Sequence, residues 1–226
     1  MNSFKEDGYV IVHDLDIPTS VKVEALAQTA AGLRQDKHGN KWILNAPFNP
    51  CKLDGAFDVP ELREIARHPR LLEKAREILG ETELDTYISK FFPMIPGKGF
   101  SVDWHQDNFY IRGDSRRMVS CDVFINGCNP ERGGLRLIPG SHRKNMVHDK
   151  RDGFFSWINL NTNDYEIINL NIDKPFAIFF DINLVHGCFT NSSNEYRPSI
   201  AWEYKHRGYL PPTHNGHQSQ DIHEIR

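Results

Sequence analysis

The stretch SVDWHQDNFY, residues 101 to 110, sets His105 and Asp107 two positions apart among bulky aromatic side chains. In an extended strand side chains alternate between faces, so these two project to one side while Gln106 points to the other. An imidazole nitrogen and a carboxylate oxygen aimed at one point can hold a metal. With a second histidine, such a set leaves adjacent positions open for a co-substrate and dioxygen, which suits non-haem Fe(II). Taken alone, His-x-Asp also fits a polar surface strand. Trp104, Phe109 and Tyr110 argue instead for a partly buried strand, where an unpaired Asp107 would be costly.

The third ligand has to come from elsewhere in the chain. His186, in FFDINLVHGCF, lies on an apolar strand-like run and is the best candidate. His142 follows the Pro139–Gly140 turn, where a structural hydrogen bond is the simpler role. His148 and His206 sit among charges that favour solvent, and His13, His38 and His68 precede the strand-rich part. If the iron works with 2-oxoglutarate, a cation must hold the remote carboxylate, and the planar fork of arginine suits both of its oxygens. RPSIAWEY offers Arg197 and Ser199 on one strand face, just after the turn TNSSNEY that follows His186. The strands carrying His186 and Arg197 are therefore expected to form a hairpin.

The elements that must position these groups are read from periodicity. GYVIVHDL is an early strand, and Thr19 or Ser20 can cap a helix with Val21, Ala25, Leu26, Ala30 and Leu33 at helical spacing. Residues 34 to 59 form an irregular connection. Prolines at 60 and 69 start two short helices, about 60 to 67 and 69 to 79, with Gly80 closing the second. Beyond Gly80 the chain becomes a series of short β-branched and aromatic runs separated by Gly, Pro, Asn and Asp, the pattern of a sandwich or jelly roll. The expected fold is α+β and mainly β. It is one domain over residues 1–207, helical to residue 80 and β-rich over 81–207, followed by a polar tail, 208–226. His214, His217 and His223 in that tail have no common face, and a mobile segment is expected there.

The 226 residues suffice for one good-sized core, and 27 Lys plus Arg against 30 Asp plus Glu give no reason to expect a nucleic-acid or anionic-membrane partner. The opening MNSFKEDGYVIVHDLD lacks a secretory apolar run and no later stretch could span a bilayer, so a cytoplasmic location is expected. Cys51, Cys121, Cys128 and Cys188 show no CxxC pair and are expected as reduced thiols.

Three blocks, DWHQDNFY, NPERGGLRLIPGSHR and VHGCFTNSSNEYRPSIAWEY, recur in order and resemble the phytanoyl-CoA dioxygenase family of Fe(II)- and 2-oxoglutarate-dependent oxygenases. FKEDGYVIVHDL resembles its usual opening, and the likeness covers most of the chain. The resemblance implies a double-stranded β-helix, cupin-like, with helices packed outside it. It implies iron held by His105, Asp107 and His186, and a 2-oxoglutarate carboxylate paired with Arg197 and Ser199. Family members often carry a small hydroxyl residue where this chain has Cys188, and some use an upstream lysine for which Lys52 is the candidate, with Lys41 and Lys90 in competition. The implied reaction consumes 2-oxoglutarate and dioxygen, releases succinate and carbon dioxide, and hydroxylates a small molecule. Related halogenases lack the carboxylate ligand, whereas Asp107 is present. Asn108, Tyr110, Arg112 and Lys90 flank the expected mouth as possible contacts to a small polar substrate; no basic cluster awaits the nucleotide tail of an acyl-CoA. A cupin-like metal protein without 2-oxoglutarate, and a silent binding protein of the same fold, are the alternatives; Arg197 stands against the first.

Overall fold

The apolar alternation beyond Gly80 folds into strands, and the proline-started segments before it into helices. The computed structural model describes residues 3–33, 42–43, 52–97, 101–151, 155–212 and 222–225. The helices are α1 (Phe4–Asp7), α2 (Thr19–Leu33), α3 (Pro60–Arg63), α4 (Pro69–Leu79) and α5 (Asn108–Ile111). The strands of the first half are β1 (Tyr9–Val12), β2 (Trp42–Ile43), β3 (Lys52–Asp54), β4 (Leu84–Phe92) and β5 (Val102–His105). β6 (Met118–Phe124), β7 (Leu135–Leu137), β8 (Asp149–Arg151), β9 (Phe155–Trp157) and β10 (Ile168–Asn169) follow. The last are β11 (Phe176–Phe180), β12 (His186–Cys188), β13 (Ser199–His206) and β14 (Ile222–Ile225).

These strands build a jelly roll. The larger sheet runs β1-β11-β6-β13-β4-β3-β2, with β14 also on β4, and the smaller runs β10-β7-β12-β5. Phe124, Phe176, Ile178 and Phe180 of the larger sheet meet Leu135 and Leu137 of the smaller, and Leu170 just after β10, in one buried cluster, so the two sheets face each other. The opposite face of the larger sheet is covered by helices. Val119, Cys121 and Val123 of β6 and Ile200, Trp202 and Tyr204 of β13 pack there with Leu62, Ile65, Leu71 and Ala75. The period of two thus divides each central strand into a helix-facing and a cavity-facing set.

Local chemistry explains where the helices stop. Pro69 disfavours helical backbone at His68, and the segment from Pro60 is α-helical only to Arg63 before tightening into a 3-10 turn over Glu64–Arg67. Gly80 closes α4 at φ +64, its N–H donating to the Arg76 carbonyl. On α2 the buried stripe is Val21, Ala25 and Thr29, four apart, whereas Leu26 is 68% exposed and Ala30 is also exposed. Thr29 suits that stripe because its hydroxyl donates back to the Ala25 carbonyl at 2.7 Å. The tail also differs from expectation: Ile222–Ile225 pair with β4, and His223 Nδ1 lies 2.8 Å from Arg63 Nη1. His214 and His217, like Cys51, His38 and Lys41, lie outside the described residues; Cys121, Cys128 and Cys188 are free and buried.

Lys205 is fully buried with its Nζ 2.9 Å from Asp85 Oδ2, which also accepts the Gly208 N–H. Removing one partner of such a pair leaves the other charge poorly compensated, since Asp85 keeps only the more distant Arg207 Nε at 3.7 Å. Lys205→Met is expected to destabilise the protein by about 3 kcal/mol, and adding Asp85→Asn to recover much of it. A urea midpoint that moves at constant slope for the single variant and returns towards wild type for the double checks this.

Candidate metal centre and its cavity

β5 and β12 are antiparallel neighbours whose register sets His105 directly opposite His186, with ring centroids 4.2 Å apart. Gly187 allows that approach, since a Cβ there would stand 2.5 Å from the Val102 carbonyl. Each histidine is oriented from behind: Nδ1 of His105 lies 2.8 Å from the Asp103 carbonyl, and Nδ1 of His186 lies 2.9 Å from the Leu184 carbonyl. A carbonyl only accepts, so both Nδ1 atoms carry the proton and both Nε2 lone pairs are free for a metal.

Asp107 reaches the same point by a different route from the one the sequence suggested. The strand ends at His105, and Asp107 already has helical backbone, φ −56 and ψ −34, at the entry to α5. Its Oδ1 lies 3.5 Å from His105 Nε2 and 3.8 Å from His186 Nε2, and its Oδ2 accepts the Ser120 hydroxyl at 3.0 Å. The three potential ligand atoms all lie within 4.8 Å of one another. Two neutral nitrogens and one carboxylate so placed fit a divalent ion with positions left open. Gln106 points away as expected, its amide bonded to the carbonyls of Lys144 and Asn183.

Electrostatics agree with a site prepared for a cation. Burial alone would raise the Asp107 carboxyl, but His186, the hydrogen-bonding His105 and Lys90 outweigh it and hold the group well below the usual carboxylate range. Burial, reinforced by His105, pushes His186 down to about 4. Both folded-state values lie below the ordinary ones, so the stability they confer is present near neutrality and is lost as pH falls. The metal-free protein is expected to lose stability progressively from about pH 6.5 to pH 4, the window set by His186, as denaturant midpoints measured across that range would show.

The cavity extends from this cluster between the sheets, and its wall includes Lys90, Asp122, Phe124, Arg197, Ser199 and Glu203. Arg197 is 3% exposed; it donates to Ser199 Oγ at 2.6 Å and to the Gly133 carbonyl at 2.8 Å, with Phe124 beneath its guanidinium at 4.9 Å. The expected hairpin is absent: β12 belongs to the smaller sheet and β13 to the larger, so the chain crosses between sheets from His186 to Arg197, and both line the cavity. Asn191 pins the crossover between them, donating to the carbonyls of Met94 and Glu195. Cys188 lines the cavity as a buried thiol. Lys52 lies in β3, in register with Ile43, one strand out from β4.

Of the four residues expected at the mouth, Lys90 lines the cavity. Asn108 instead ties α5 down, donating to Asn183 Oδ1 and accepting the Gly113 N–H. Tyr110 is 41% exposed with its ring 6.4 Å from that of His105, and Arg112 closes α5 in the left-handed conformation, φ +54. His148 is not a solvent residue: it accepts the Gln106 N–H and stacks on Phe109. Ser120, Asp122, Glu203 and the Gly133 carbonyl were not singled out from sequence. The signal for the first two was available in MVSCDVF, where Ser120 and Asp122 alternate with the helix-facing Val119, Cys121 and Val123.

The profile of the phytanoyl-CoA dioxygenase family matches residues 4–199. The chain belongs to that family. Among curated relatives, the ectoine dioxygenase of Bordetella bronchiseptica is 27% identical over 90% of this chain and 73% of its own length. That of Halomonas elongata is 24% identical over 92% and 69%. The fold is shared with solved structures. The α-ketoglutarate-dependent carbocyclase SnoK of nogalamycin biosynthesis superposes with TM-score 0.74 at 19% identity, covering 99% of this chain and 94% of that one. EctD from S. alaskensis, solved with 2-oxoglutarate and 5-hydroxyectoine, gives 0.69 at 21% identity over 90% and 73%. The family's chemistry is that of a 2-oxoglutarate-dependent non-haem iron dioxygenase, with iron, 2-oxoglutarate and dioxygen as its cofactor set.

Proposed function

We propose that the protein hydroxylates a small polar metabolite or natural-product intermediate. One atom of dioxygen enters the substrate, and the other enters the succinate formed from 2-oxoglutarate as carbon dioxide leaves. One observation supports the reading above the others: a single cavity carries the two-histidine, one-carboxylate set at one end and the buried Arg197 with Ser199 at the other.

In this reading His105, Asp107 and His186 hold Fe(II), which when bound supplies the coupling of dioxygen activation to 2-oxoglutarate decarboxylation. The protein's part is positional and electrostatic. The Asp103 and Leu184 carbonyls aim the two imidazoles, and Ser120 fixes the carboxylate. Arg197 offers its fork to the remote carboxylate of 2-oxoglutarate, with Ser199 orienting it. Cys188 borders the same compartment, and Lys52 is a further candidate for the co-substrate. Lys90 faces the substrate space, with Asn108, Tyr110 and Arg112 supporting the segment at its entrance. Asp107 occupies the ligand position that a halogenase leaves to chloride, which favours hydroxylation. A cupin-like metal protein without 2-oxoglutarate would have no use for a cation as buried as Arg197. No helix among the described residues is long and apolar enough to cross a membrane. Free buried thiols and a small polar substrate accord with a cytoplasmic setting.

The test is anaerobic addition of Fe(II) and then 2-oxoglutarate, followed by admission of air. A visible charge-transfer band on adding 2-oxoglutarate, then succinate formation stimulated by substrate candidates, is the expected result. Failure to form the band would overturn the co-substrate reading; a band without succinate under any condition would favour a silent binding protein.

A further inference from the structure

Gln106 faces away from the metal centre, yet its buried side chain is committed at both ends of the amide. Nε2 donates to the carbonyls of Lys144 and Asn183, and Oε1 accepts the Met146 N–H at 3.0 Å. Two carbonyls at one end and an N–H at the other fix which end is nitrogen. The backbone of Gln106 is engaged as well: its N–H donates to His148 Nε2 at 3.1 Å, and its carbonyl accepts the Phe109 N–H. His148 can accept there because its Nδ1, 3.1 Å from the Met146 carbonyl, carries the proton.

These bonds join the segments that carry all three ligands. Asn183 lies just ahead of β12 and His186, and Asn108 ties the Asp107 turn to the same loop: its N–H donates to the Ile182 carbonyl and its side chain to Asn183 Oδ1. The chain beyond β7 supports both sides. Ser141 Oγ accepts the N–H of Val185, next to His186, while Lys144 and Met146 hold Gln106, between His105 and Asp107. A row of rings makes a second link, with centroids 6.4 Å apart from His105 to Tyr110, 5.1 Å from Tyr110 to Phe109 and 4.3 Å from Phe109 to His148. Residues 144–148 belong to no helix or strand, and Lys144, Asn145 and Val147 are exposed, the last at 82%. Their order therefore rests on side-chain contacts such as those to Gln106 and Phe109.

We infer that Gln106 is a positioning residue of the metal centre, acting through His105 and Asp107, and that it couples metal binding to the order of residues 144–148. This role rests on the ligand assignment above. An ion needs the turn carrying His105 and Asp107 at a fixed separation from His186, and the Gln106 amide sets that separation by holding the turn to the Asn183 carbonyl. Coupling is reciprocal, so an ion that favours this geometry also stabilises the exposed segment that the same amide holds.

The test uses the full chain with Co(II) alone as the probe. Wild-type titration comes first; failure to bind there refutes the ligand assignment itself, and with it the role of Gln106. Hydrogen exchange read by mass spectrometry then follows peptides covering residues 144–148 with and without Co(II), and exchange is expected to slow when the ion is added. Gln106→Met, close in size and unable to donate, should raise the Co(II) dissociation constant by roughly 10–100-fold, alter the visible spectrum of the bound ion and abolish that slowing. His148→Phe keeps a ring against Phe109 and removes the acceptor for the Gln106 N–H, so it should weaken Co(II) in the same direction by a smaller factor. A purely structural role for Gln106 would lower the melting temperature and leave the Co(II) affinity and spectrum of the folded protein unchanged. The inference is overturned by that result, by wild-type exchange at residues 144–148 that is indifferent to Co(II), or, should Gln106→Met not fold, by unchanged Co(II) affinity in His148→Phe.

Discussion

Asp107→Ala is expected to yield a folded protein that retains no iron through desalting. Asp107 is the single anion of the ligand set, and its Oδ1 lies 3.5 Å and 3.8 Å from the two Nε2 atoms. Loss of an outer hydrogen-bond partner alone lowers metal affinity by roughly 10–100-fold, so removal of the ligand itself should exceed about 100-fold. The fold should survive, because His105 and His186 are placed by strand pairing and by the Asp103 and Leu184 carbonyls, not by Asp107. Iron content by equilibrium dialysis beside a thermal melt separates the two effects. Wild-type iron retention in this variant would remove Asp107 from the site.

Arg197→Ala is expected to raise the 2-oxoglutarate concentration needed for half-saturation by about 100-fold or more, with iron affinity little changed. Truncating one side of a buried charged pair costs about 2–5 kcal/mol, which spans that factor. The effect is separable from the first because Arg197 lies in the crossover to β13, at the opposite end of the cavity from Ser120 and Asp107. Arg197→Lys should recover only part of the loss, since an ammonium cannot reproduce the fork that now bonds Ser199 and the Gly133 carbonyl at once. Titration of the charge-transfer band with 2-oxoglutarate gives both numbers; equal affinity in all three proteins would place the carboxylate elsewhere.

The ligand residues were legible in the sequence for a reason that is only half the right one. Strand alternation brought His105 and Asp107 together on paper, whereas in the structure the chain leaves the strand after His105 and a helical turn returns Asp107 to it. A two-residue spacing satisfies both geometries, so the spelling could not tell them apart. The crossover was misread for a related cause. TNSSNEY looks like a hairpin turn, but its Asn191 bonds Met94 and Glu195 and carries the chain from one sheet to the other. Sequence proximity was taken for strand pairing, and only long-range contacts decide that. The helix and strand inventory was accessible because proline, glycine and β-branched runs act locally. Glu203 was not, because a charge on an apolar strand signals a lined cavity only once the opposing sheet is known.

β13 is the last of the long strands in the sequence, yet it lies between β6 and β4 in the middle of the larger sheet. A ribosome therefore delivers the central stave of the barrel late, after both of its neighbours. Until then β4 and β6 have open edges, and the helix-facing places of Ile200, Trp202 and Tyr204 are unfilled. Every residue of the His105, Asp107 and His186 set is already synthesised at that stage, but the wall that completes their compartment is not. Folding is thus gated by long-range closure, which makes it slow and dependent on chain completion. A chain ending at Pro198 would carry iron ligands and two adhesive strand edges, and is expected to aggregate and to show no partial activity.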